Sequence, residues 1–191
     1  MPQLNLPRLE TERLVLRPGT AEDVPAIVAY YLRNRKRLAP VDPLRPDSFF
    51  TEEFWHLRVR LDHQEIREDR SLRLFLFPRQ EPRRVIGIAN FTQFVRGVAQ
   101  HCTLGYAIDE AEEGKGLMEE AARAGIQRIF QVEKLHRIQA NYMPRNERSA
   151  ALLRRLGFTI EGLAREYLLI AGRWEDHVLT GLINPEWRET P

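Results

Sequence analysis

Apolar and polar residues alternate along residues 13–18, with the two-residue period of a half-buried β-strand. Thr20 then stands where a helix cap is expected, and Asp23 follows three residues later as its partner in a capping box. Beyond this point the apolar residues recur every three or four positions and form one helix face: Val24, Ile27, Val28, Tyr31 and Leu32. The pattern therefore predicts a strand that passes directly into a helix.

A proline-rich segment at residues 39–47 ends this helical pattern. Because the segment is short and neither flank is complete as a domain, we interpret it as a loop near a binding cleft and not as a domain boundary. A second helix is predicted over residues 49–66. Strands are predicted over 72–77, 84–95 and 101–108, and the turn between the last two indicates a hairpin.

The chain after this hairpin again shows a helical period. A helix is predicted to begin at Leu117, and its buried face consists mainly of small residues, which suits close packing on a sheet. The residues of this face are Leu117, Met118, Ala121, Ala122, Gly125 and Ile129. A strand is predicted over residues 137–143.

The last elements are a short helix and a hairpin. The helix is predicted over residues 146–158, with Asn146 as its cap and Gly157 after its last turn. The hairpin is predicted over residues 166–183, with its turn at Ala171 and Gly172. The resulting order is β-α-α-β-β-β-α-β-α-β-β, without an internal repeat, and it predicts one α/β (α+β) domain over residues 1–191.

Composition narrows the class of protein. The chain has 191 residues, of which 43% are apolar, enough for one substantial core. Its formal net charge of +2 is too small to indicate nucleic-acid binding, and its single cysteine, Cys102, excludes an internal disulfide. The first ten residues lack the pattern of a secretory signal, and no apolar run approaches the length of a membrane-spanning helix. We therefore expect a soluble, cytoplasmic protein without membrane contacts.

Two glycines, Gly114 and Gly116, lie between the predicted strand and the predicted helix. They have two possible roles: a cradle for phosphate groups at a helix N-terminus, or a tight turn that only connects the two elements. A P-loop is excluded because Gly116, not serine or threonine, follows Lys115. The dinucleotide fingerprint is excluded because Glu119 occupies the place of its third glycine.

The surrounding motifs carry a more specific signal. They are "IANF" (88–91), "LGYAI" (104–108), "GKGLMEEA" (114–121), "HRIQANYMPRNERSAALLRRLGF" (136–158) and "DHVLTGL" (176–182). In this order they resemble the Gcn5-related N-acetyltransferases, and within them the RimJ-type branch that acetylates the N termini of ribosomal proteins. The resemblance extends from about Leu9 to Trp187. It implies a mixed, twisted sheet of about seven strands flanked by about four helices.

The resemblance also implies where acetyl-CoA binds. Tyr106, Ala107 and Ile108 are expected to line the pantetheine arm. The pyrophosphate is expected to be wrapped by the loop and first helical turn, which comprise Gly114, Lys115, Gly116, Leu117, Met118 and Glu119. Two residues depart from the usual motif, Glu113 at its start and Met118 near its end. Since a carboxylate would repel a diphosphate, we expect the side chain of Glu113 to point to solvent.

Acetyl transfer requires a neutral amine and a group that stabilises the leaving thiolate, but no covalent intermediate. Glu110 is the candidate base, with the alternative that it only belongs to an acidic run that attracts an ammonium group. Ser149 is the candidate acid, inherited from the ribosomal branch, with a purely structural role as the alternative. Many relatives have a tyrosine where this chain has Leu153. Cys102 is expected to be a buried strand residue, not a nucleophile.

Further residues of the helix at 146–158 and of the strand before it have candidate roles. Asn146 either caps the helix or also binds coenzyme A, and Asn141 is expected to reach the same cleft. Lys115, Arg145 and Arg148 are possible partners of the phosphates. The five histidines have no metal-ligand spacing, so no metal is expected.

Three functions follow from these observations. The first is acetylation of a protein α-amine, and the resemblance implies the N-terminal alanine of the fifth small-subunit ribosomal protein as the leading acceptor. The others are acetylation of small-molecule amines and a catalytically silent acyl-CoA sensor. An α-amine is favoured over lysine because it is less basic, so a weak carboxylate base suffices for it.

Overall fold

The computed structural model describes residues 6–188. The first five residues of the N-terminal segment tested for a secretory signal therefore lie outside the described residues. The strands are β1 Leu9–Glu10, β2 Leu14–Arg17, β3 Leu72–Pro78, β4 Gly87–Val95, β5 His101–Ile108, β6 Arg137–Gln139, β7 Thr159–Ile170 and β8 Arg173–Ile183. The helices are α1 Val24–Leu38, α2 Glu52–Arg67, α3 Leu117–Gln131 and α4 Glu147–Leu156.

The eight strands form one mixed sheet in the order β1-β2-β3-β4-β5-β6-β8-β7. All pairs are antiparallel except β5 and β6. The predicted family fold is thus confirmed, with one strand more than expected. The additional strand, β1, pairs with β2 over only two residues, which is too short to produce a readable alternation.

Apolar cores lie on both faces of the sheet. One core joins the sheet to α3 and α4, and the other joins it to α1 and α2. The small-residue face predicted for α3 is confirmed, since all six of its residues are buried. An added Cβ at Gly125 would lie 2.5 Å from the ring of Phe91, so this glycine is required for the close approach of α3 to β4.

The local start and stop signals are confirmed. The Asp23 carboxylate accepts hydrogen bonds from the backbone N–H of Thr20 at 2.8 Å and from its hydroxyl at 2.7 Å, in a single 3-10 turn that leads into α1. Asn146 caps α4, and Gly157 ends it with a φ of +91°. The last hairpin turns at Ala171 and Gly172, both at positive φ.

Strand β7 begins at Thr159, seven residues before the predicted hairpin. It is the edge strand of the sheet, most of its residues are exposed, and its pairing with β8 shifts register twice. Because β7 has two bulges and is exposed on both faces, its sequence lacks the alternation of apolar and polar residues from which a strand is predicted. Within residues 6–188, none of the helices combines the length and hydrophobicity that crossing a bilayer requires.

The sheet separates between β5 and β6. These strands pair through only three residues each, ending at Thr103 and Gln139. Strand β5 continues to Ile108, whereas the chain after Gln139 follows β8, with Tyr142 bridging to Val178. Among the described residues, no strand pairs with the edge of β5 beyond Thr103. The backbone groups on that side are therefore open to a ligand, apart from the Ile108 carbonyl, which accepts a hydrogen bond from Arg37.

Candidate active site

A cleft of about 1510 Å³ occupies the gap between β5 and the segment that follows β6. Its lining falls into two parts. We call the first the glycine half, formed by residues 112–119, by β5 and by the start of α4. We call the second the aromatic half, formed by residues of α1, α2, β3 and the 3-10 turn before α2, and including Tyr31, Phe49, Phe54 and Trp55. The proline-rich loop contributes Val41, Asp42 and Arg45, which confirms its predicted place beside a cleft.

The glycine half is built around the N-terminus of α3. Gly114 and Gly116 have φ values of +74° and +76°, in the left-handed region that favours glycine. An added Cβ would meet nothing within 4 Å at Gly114 and only the Arg13 guanidinium, at 3.6 Å, at Gly116. These glycines are therefore needed for the backbone conformation and for the open space beside it, not to avoid a clash with protein atoms.

The first turn of α3 faces this open space. Leu117, Met118 and Glu119 all line the cleft. In an α-helix the N–H groups of the first turn have no intrahelical acceptor, and the helix dipole adds positive potential there. Together with the two glycines, this turn forms a site suited to an anionic group such as a diphosphate.

Arg13 holds the glycine loop in place from β2. Its backbone N–H and Nε donate to the carboxylate of Glu120 at 2.9 and 2.7 Å, and its guanidinium donates to the carbonyl of Lys115 at 2.9 Å. The Lys115 ammonium pairs with Glu112 at 2.9 Å and does not line the cleft. Lys115 thus contributes to the loop through its main chain.

The expectation that Glu113 points to solvent is wrong. Its carboxylate lines the cleft and bridges two arginines, Arg37 of α1 at 2.8 Å and Arg148 of α4. The sequence pattern concealed this arrangement because both arginines come from distant helices. Since two cations surround one carboxylate, the net charge at this point is positive, and the repulsion expected for a diphosphate is offset.

A pair of hydroxyl groups lies in the wall of the glycine half. The Tyr106 hydroxyl and the Ser149 Oγ are 2.6 Å apart. Burial raises the pKa of Tyr106 to about 12, so the phenol keeps its proton at neutral pH. Asn146 accepts a hydrogen bond from the backbone N–H of Ser149 at 3.1 Å and so fixes the start of α4.

Leu153 occupies the position at which many relatives have a tyrosine. It is buried in the core and carries no hydroxyl group. A tyrosine hydroxyl instead reaches the site from β5, through Tyr106. The sequence identified Tyr106 only as a lining residue, and the signal for its contact with Ser149 was the strand alternation that points it toward α4.

The other predicted lining residues also lie in the cleft. Ala107 and Ile108 stand on the open edge of β5, and the Ile108 carbonyl accepts a hydrogen bond from Arg37. Asn141 lines the opposite wall, where its amide donates to the Tyr167 hydroxyl at 3.5 Å and accepts from the backbone of Thr180 at 3.4 Å. Asn141 therefore reaches the cleft as predicted.

Glu110, the predicted base, does not lie in the wall of the cleft. It lies on a 3-10 turn, is exposed and is not among the residues that line the cleft. The neighbouring Asp109 is buried, and burial is the largest single influence and opposes its ionisation. The hydrogen bonds from Arg33 at 2.7 Å and from the backbone N–H of Ala111, together with the charges of Arg33 and Arg84, outweigh burial and hold the pKa of Asp109 below its usual value. Asp109 thus anchors the end of β5 to α1, and the role of Glu110 stays a prediction.

The aromatic half was not predicted. Tyr31 and Trp55 stack with their centroids 4.8 Å apart, and Phe49 packs edge-on against both rings. Asp62 is 3% exposed and lines the same part of the cleft. Its Oδ1 accepts a hydrogen bond from Arg58 at 2.5 Å and lies 3.2 Å from Nε of Arg73. These two cations lower the pKa of the carboxyl group, but burial has the larger effect and raises it.

Two further expectations concern a metal ion and Cys102. Within the described part of the chain, no cluster of three histidine, cysteine or carboxylate side chains is arranged to hold a metal ion. Cys102 is fully buried in the core and does not line the cleft. Burial raises its pKa to about 12, which leaves almost no thiolate at neutral pH.

Comparisons with known proteins agree with this geometry. The model of the acetyltransferase (GNAT) domain family matches residues 13–159. A relative from Escherichia coli K12, named [ribosomal protein uS5]-alanine N-acetyltransferase, is 43% identical over 94% of this chain and 92% of its own. A probable N-acetyltransferase of Bacillus subtilis is 33% identical over 93% of this chain and 98% of its own.

Two solved structures share the fold. The ribosomal-protein-S5-alanine acetyltransferase of Vibrio fischeri has a TM-score of 0.91 and 36% identity, and the match covers 96% of this chain and 100% of that one. The Mycobacterium smegmatis RimJ structure, a complex with CoA-disulfide, has a TM-score of 0.86 at 24% identity, over 97% of this chain and 90% of that one. The second comparison supports the fold alone.

Proposed function

The chain belongs to the GNAT acetyltransferase family, and from this premise we propose that it transfers the acetyl group of acetyl-CoA to the N-terminal α-amine of a protein. The leading acceptor is the N-terminal alanine of ribosomal protein uS5, the substrate named for the 43% identical relative. The observation that carries the proposal is the open edge of β5 beyond Thr103, between an anion site and an aromatic pocket.

We assign acetyl-CoA to the glycine half of the cleft. The first-turn N–H groups of α3, at Leu117, Met118 and Glu119, would hold the pyrophosphate, with Arg148 as a movable cation beside them. The pantetheine arm would run along the open edge of β5, past Tyr106, Ala107 and Ile108. Acetyl-CoA supplies an activated acyl group as a thioester; the protein supplies its orientation and a place for the sulfur's charge.

Asn146 and Asn141 would complete this binding site from the opposite wall. Asn146 is already engaged as the cap of α4, so any contact with coenzyme A would use the remaining capacity of its side chain. Lys115 would act through its backbone N–H, because its ammonium group pairs with Glu112 outside the cleft.

The Tyr106–Ser149 pair would stabilise the departing thiolate. A phenol that stays protonated at neutral pH can donate through Ser149 to a sulfur that gains negative charge. This hydroxyl pair supports an active enzyme over a silent acyl-CoA sensor, because it replaces the tyrosine that is missing at Leu153.

The acceptor is assigned as an α-amine, not a lysine side chain. Unperturbed α-amines have a pKa near 7.7–8.0 and lysine near 10.4, so neutralising lysine costs about 3.4 kcal/mol more. Glu110, the base predicted from the sequence, does not line the cleft and would have to act through water. We also propose that residues 1–191 form one N-acetyltransferase domain, with its core at about 9–187, that works in the cytoplasm.

The test is a thiol-release assay with a peptide that carries a free N-terminal alanine and internal lysines. We expect thiol release, and mass spectrometry should place the acetyl group on the α-amine. The matched control is the same peptide with its N terminus blocked, which should give no release. Acetylation of the lysines, or turnover with small diamines but not with the peptide, would contradict the proposal.

A further inference from the structure

His177 is a buried histidine that has no part in the acetyl transfer as proposed from the other cleft residues. It lies in β8 opposite Ala164 of β7, is only 4% exposed and lines the cleft. A buried histidine in a cleft wall has either a packing role or a role toward the ligand. Its two ring nitrogens decide between these roles.

The first nitrogen fixes the tautomer. Nδ1 of His177 lies 3.0 Å from the backbone carbonyl oxygen of Glu175. A carbonyl oxygen can only accept, so Nδ1 must be the protonated nitrogen of the neutral ring. The lone pair of the neutral ring therefore resides on Nε2.

The second ring nitrogen, Nε2, is available to a ligand. Among residues 6–188, no side chain or backbone group hydrogen-bonds to Nε2 of His177. Nδ1 of His136 is fully buried without a hydrogen-bond partner, whereas Nε2 of His177 is not fully buried. Because His177 lines the cleft, its Nε2 is open to the cleft. The ring thus presents a bare basic nitrogen, with its tautomer held from behind.

The strand alternation places this nitrogen on the side of the sheet where α1 and α2 pack. The next residue, Val178, packs with the core under α3 and α4, as does Tyr142, to which it bridges. Neighbouring residues on a strand point to opposite faces, so His177 faces the aromatic half. Ala107, on the open edge of β5, packs with the core of that same face. The gap where the thioester would lie therefore separates β5 from the wall that carries His177.

We propose that His177 is a catalytic residue whose Nε2 accepts the proton of the acceptor α-amine; this inference rests on the proposed function. As the amine nitrogen forms its bond to the acetyl carbon, one N–H proton passes to Nε2. The carbon–sulfur bond then breaks, and the thiolate takes a proton from the Tyr106–Ser149 pair. Exchange with solvent returns the proton from His177 and restores the hydroxyl pair, so the net transfer is one proton from nitrogen to sulfur.

The first experiment compares two variants of this residue. His177→Asn keeps a donor near the position of Nδ1 and loses Nε2, whereas His177→Gln keeps an amide near the position of Nε2 that cannot take a proton. We expect both to lower kcat with an N-terminal alanine peptide by about a hundredfold or more and to leave KM for acetyl-CoA within about twofold. The matched control is His63→Gln, because His63 also contacts a backbone carbonyl, that of Gly19 at 2.7 Å, but lies outside the cleft.

The two variants separate catalysis from packing. If His177 only holds the strand through Nδ1, the asparagine variant retains most of the activity, and the proposal is overturned. It is also overturned if Glu110→Gln abolishes turnover while His177→Asn does not, since the proton acceptor would then be Glu110. Thermal unfolding of both His177 variants checks that they are folded.

A second measurement does not depend on turnover. In ¹⁵N-histidine NMR spectra of the full chain, we expect His177 to show a protonated Nδ1 and a bare Nε2 whose signal moves when the alanine peptide is added. A protonated Nε2, or a signal that the peptide leaves unchanged, would overturn the proposal. If the wild-type chain instead acetylates no α-amine, the proposed function fails, and that result is distinct because the NMR signals report on His177 alone.

Discussion

The two halves of the cleft differ in how far apart their residues lie in the sequence. The glycine half uses residues 104–119 and 141–155, each a compact stretch with turn and cap signals. The aromatic half combines Tyr31, Trp55, Asp62 and Phe75, which lie on three different elements. Under the proposed function, local backbone motifs bind the ligand common to the family, and tertiary packing assembles the side that takes the acceptor. The comparison predicts that changes in one half affect one substrate and not the other.

The largest effect is expected for Ser149→Ala. Removing one donor to a developing negative charge lowers kcat by about a hundredfold, since that donor acts mainly in the transition state. KM for acetyl-CoA should change less, because the backbone N–H of residue 149 still bonds to Asn146. Steady-state kinetics checks this prediction.

Ser71→Ala is the matched control, because the Ser71 hydroxyl also makes a 2.6 Å hydrogen bond, to Glu65, but does not line the cleft. Tyr106→Phe should resemble Ser149→Ala. A rise in KM for acetyl-CoA with kcat unchanged would make the role of Ser149 structural, and the donor would have to be found elsewhere in the glycine half.

Gly116→Val is expected to weaken acetyl-CoA binding by well over tenfold, as measured by calorimetric titration. A β-branched residue is strained at a φ of +76°, and its methyl groups would occupy the space beside the first turn of α3. Gly97→Val is the control, because Gly97 has a similar φ of +67° and an equally open surrounding, in a turn outside the cleft.

This pair of variants separates backbone strain from ligand exclusion. If both substitutions lower the melting temperature alike but only Gly116→Val weakens binding, the anion site is confirmed. Equal affinity of Gly116→Val and the wild-type chain would show that the two glycines form only a tight turn.

These residues also show what the sequence could predict. Alternation, caps and glycines lie within a few residues of one another, so the start of α3, both ends of α4 and the position of the glycine loop were predicted correctly. Glu113 was predicted wrongly because its partners, Arg37 and Arg148, are brought to it by helices far along the chain. Asp62 and His177 have hydrogen-bond partners close by in the sequence, but their place in the wall of the cleft follows only from tertiary packing. The acceptor side of the site was therefore beyond any local pattern.

Asp62→Asn tests the aromatic half. The contacts of Asp62 with Arg58 and Arg73 go to Oδ1, and among the described residues none reaches Oδ2. Oδ2 is therefore available to an N–H group of the acceptor. Losing a hydrogen bond to a charged group should raise KM for the peptide by about tenfold, with KM for acetyl-CoA unchanged.

The control for this variant is Asp69→Asn, which removes a carboxylate that pairs with Arg96 at 2.5 Å outside the cleft. Peptides of decreasing length sharpen the test. If Asp62 contacts residues beyond the first, the variant and the wild-type chain should have similar KM values for a single-residue alanine amide. An increase in KM for acetyl-CoA instead would show that the two halves are coupled through α1.

The smallest effect is expected for Glu113→Gln, in the glycine half. The carboxylate holds Arg37 and Arg148, and removing its charge leaves both guanidinium groups available to the phosphates of acetyl-CoA. Because Arg148 is exposed, the gain is limited to the range of a surface ion pair, and affinity should improve about threefold at low salt. The gain should shrink as salt is added, since exposed charges are screened over about 10 Å at 0.1 M.

Titrations of acetyl-CoA at two salt concentrations measure this gain in affinity. Glu133→Gln is the control, because Glu133 pairs with Arg128 away from the cleft. Weaker binding at both concentrations would mean that Glu113 positions the arginines and does not compete for them.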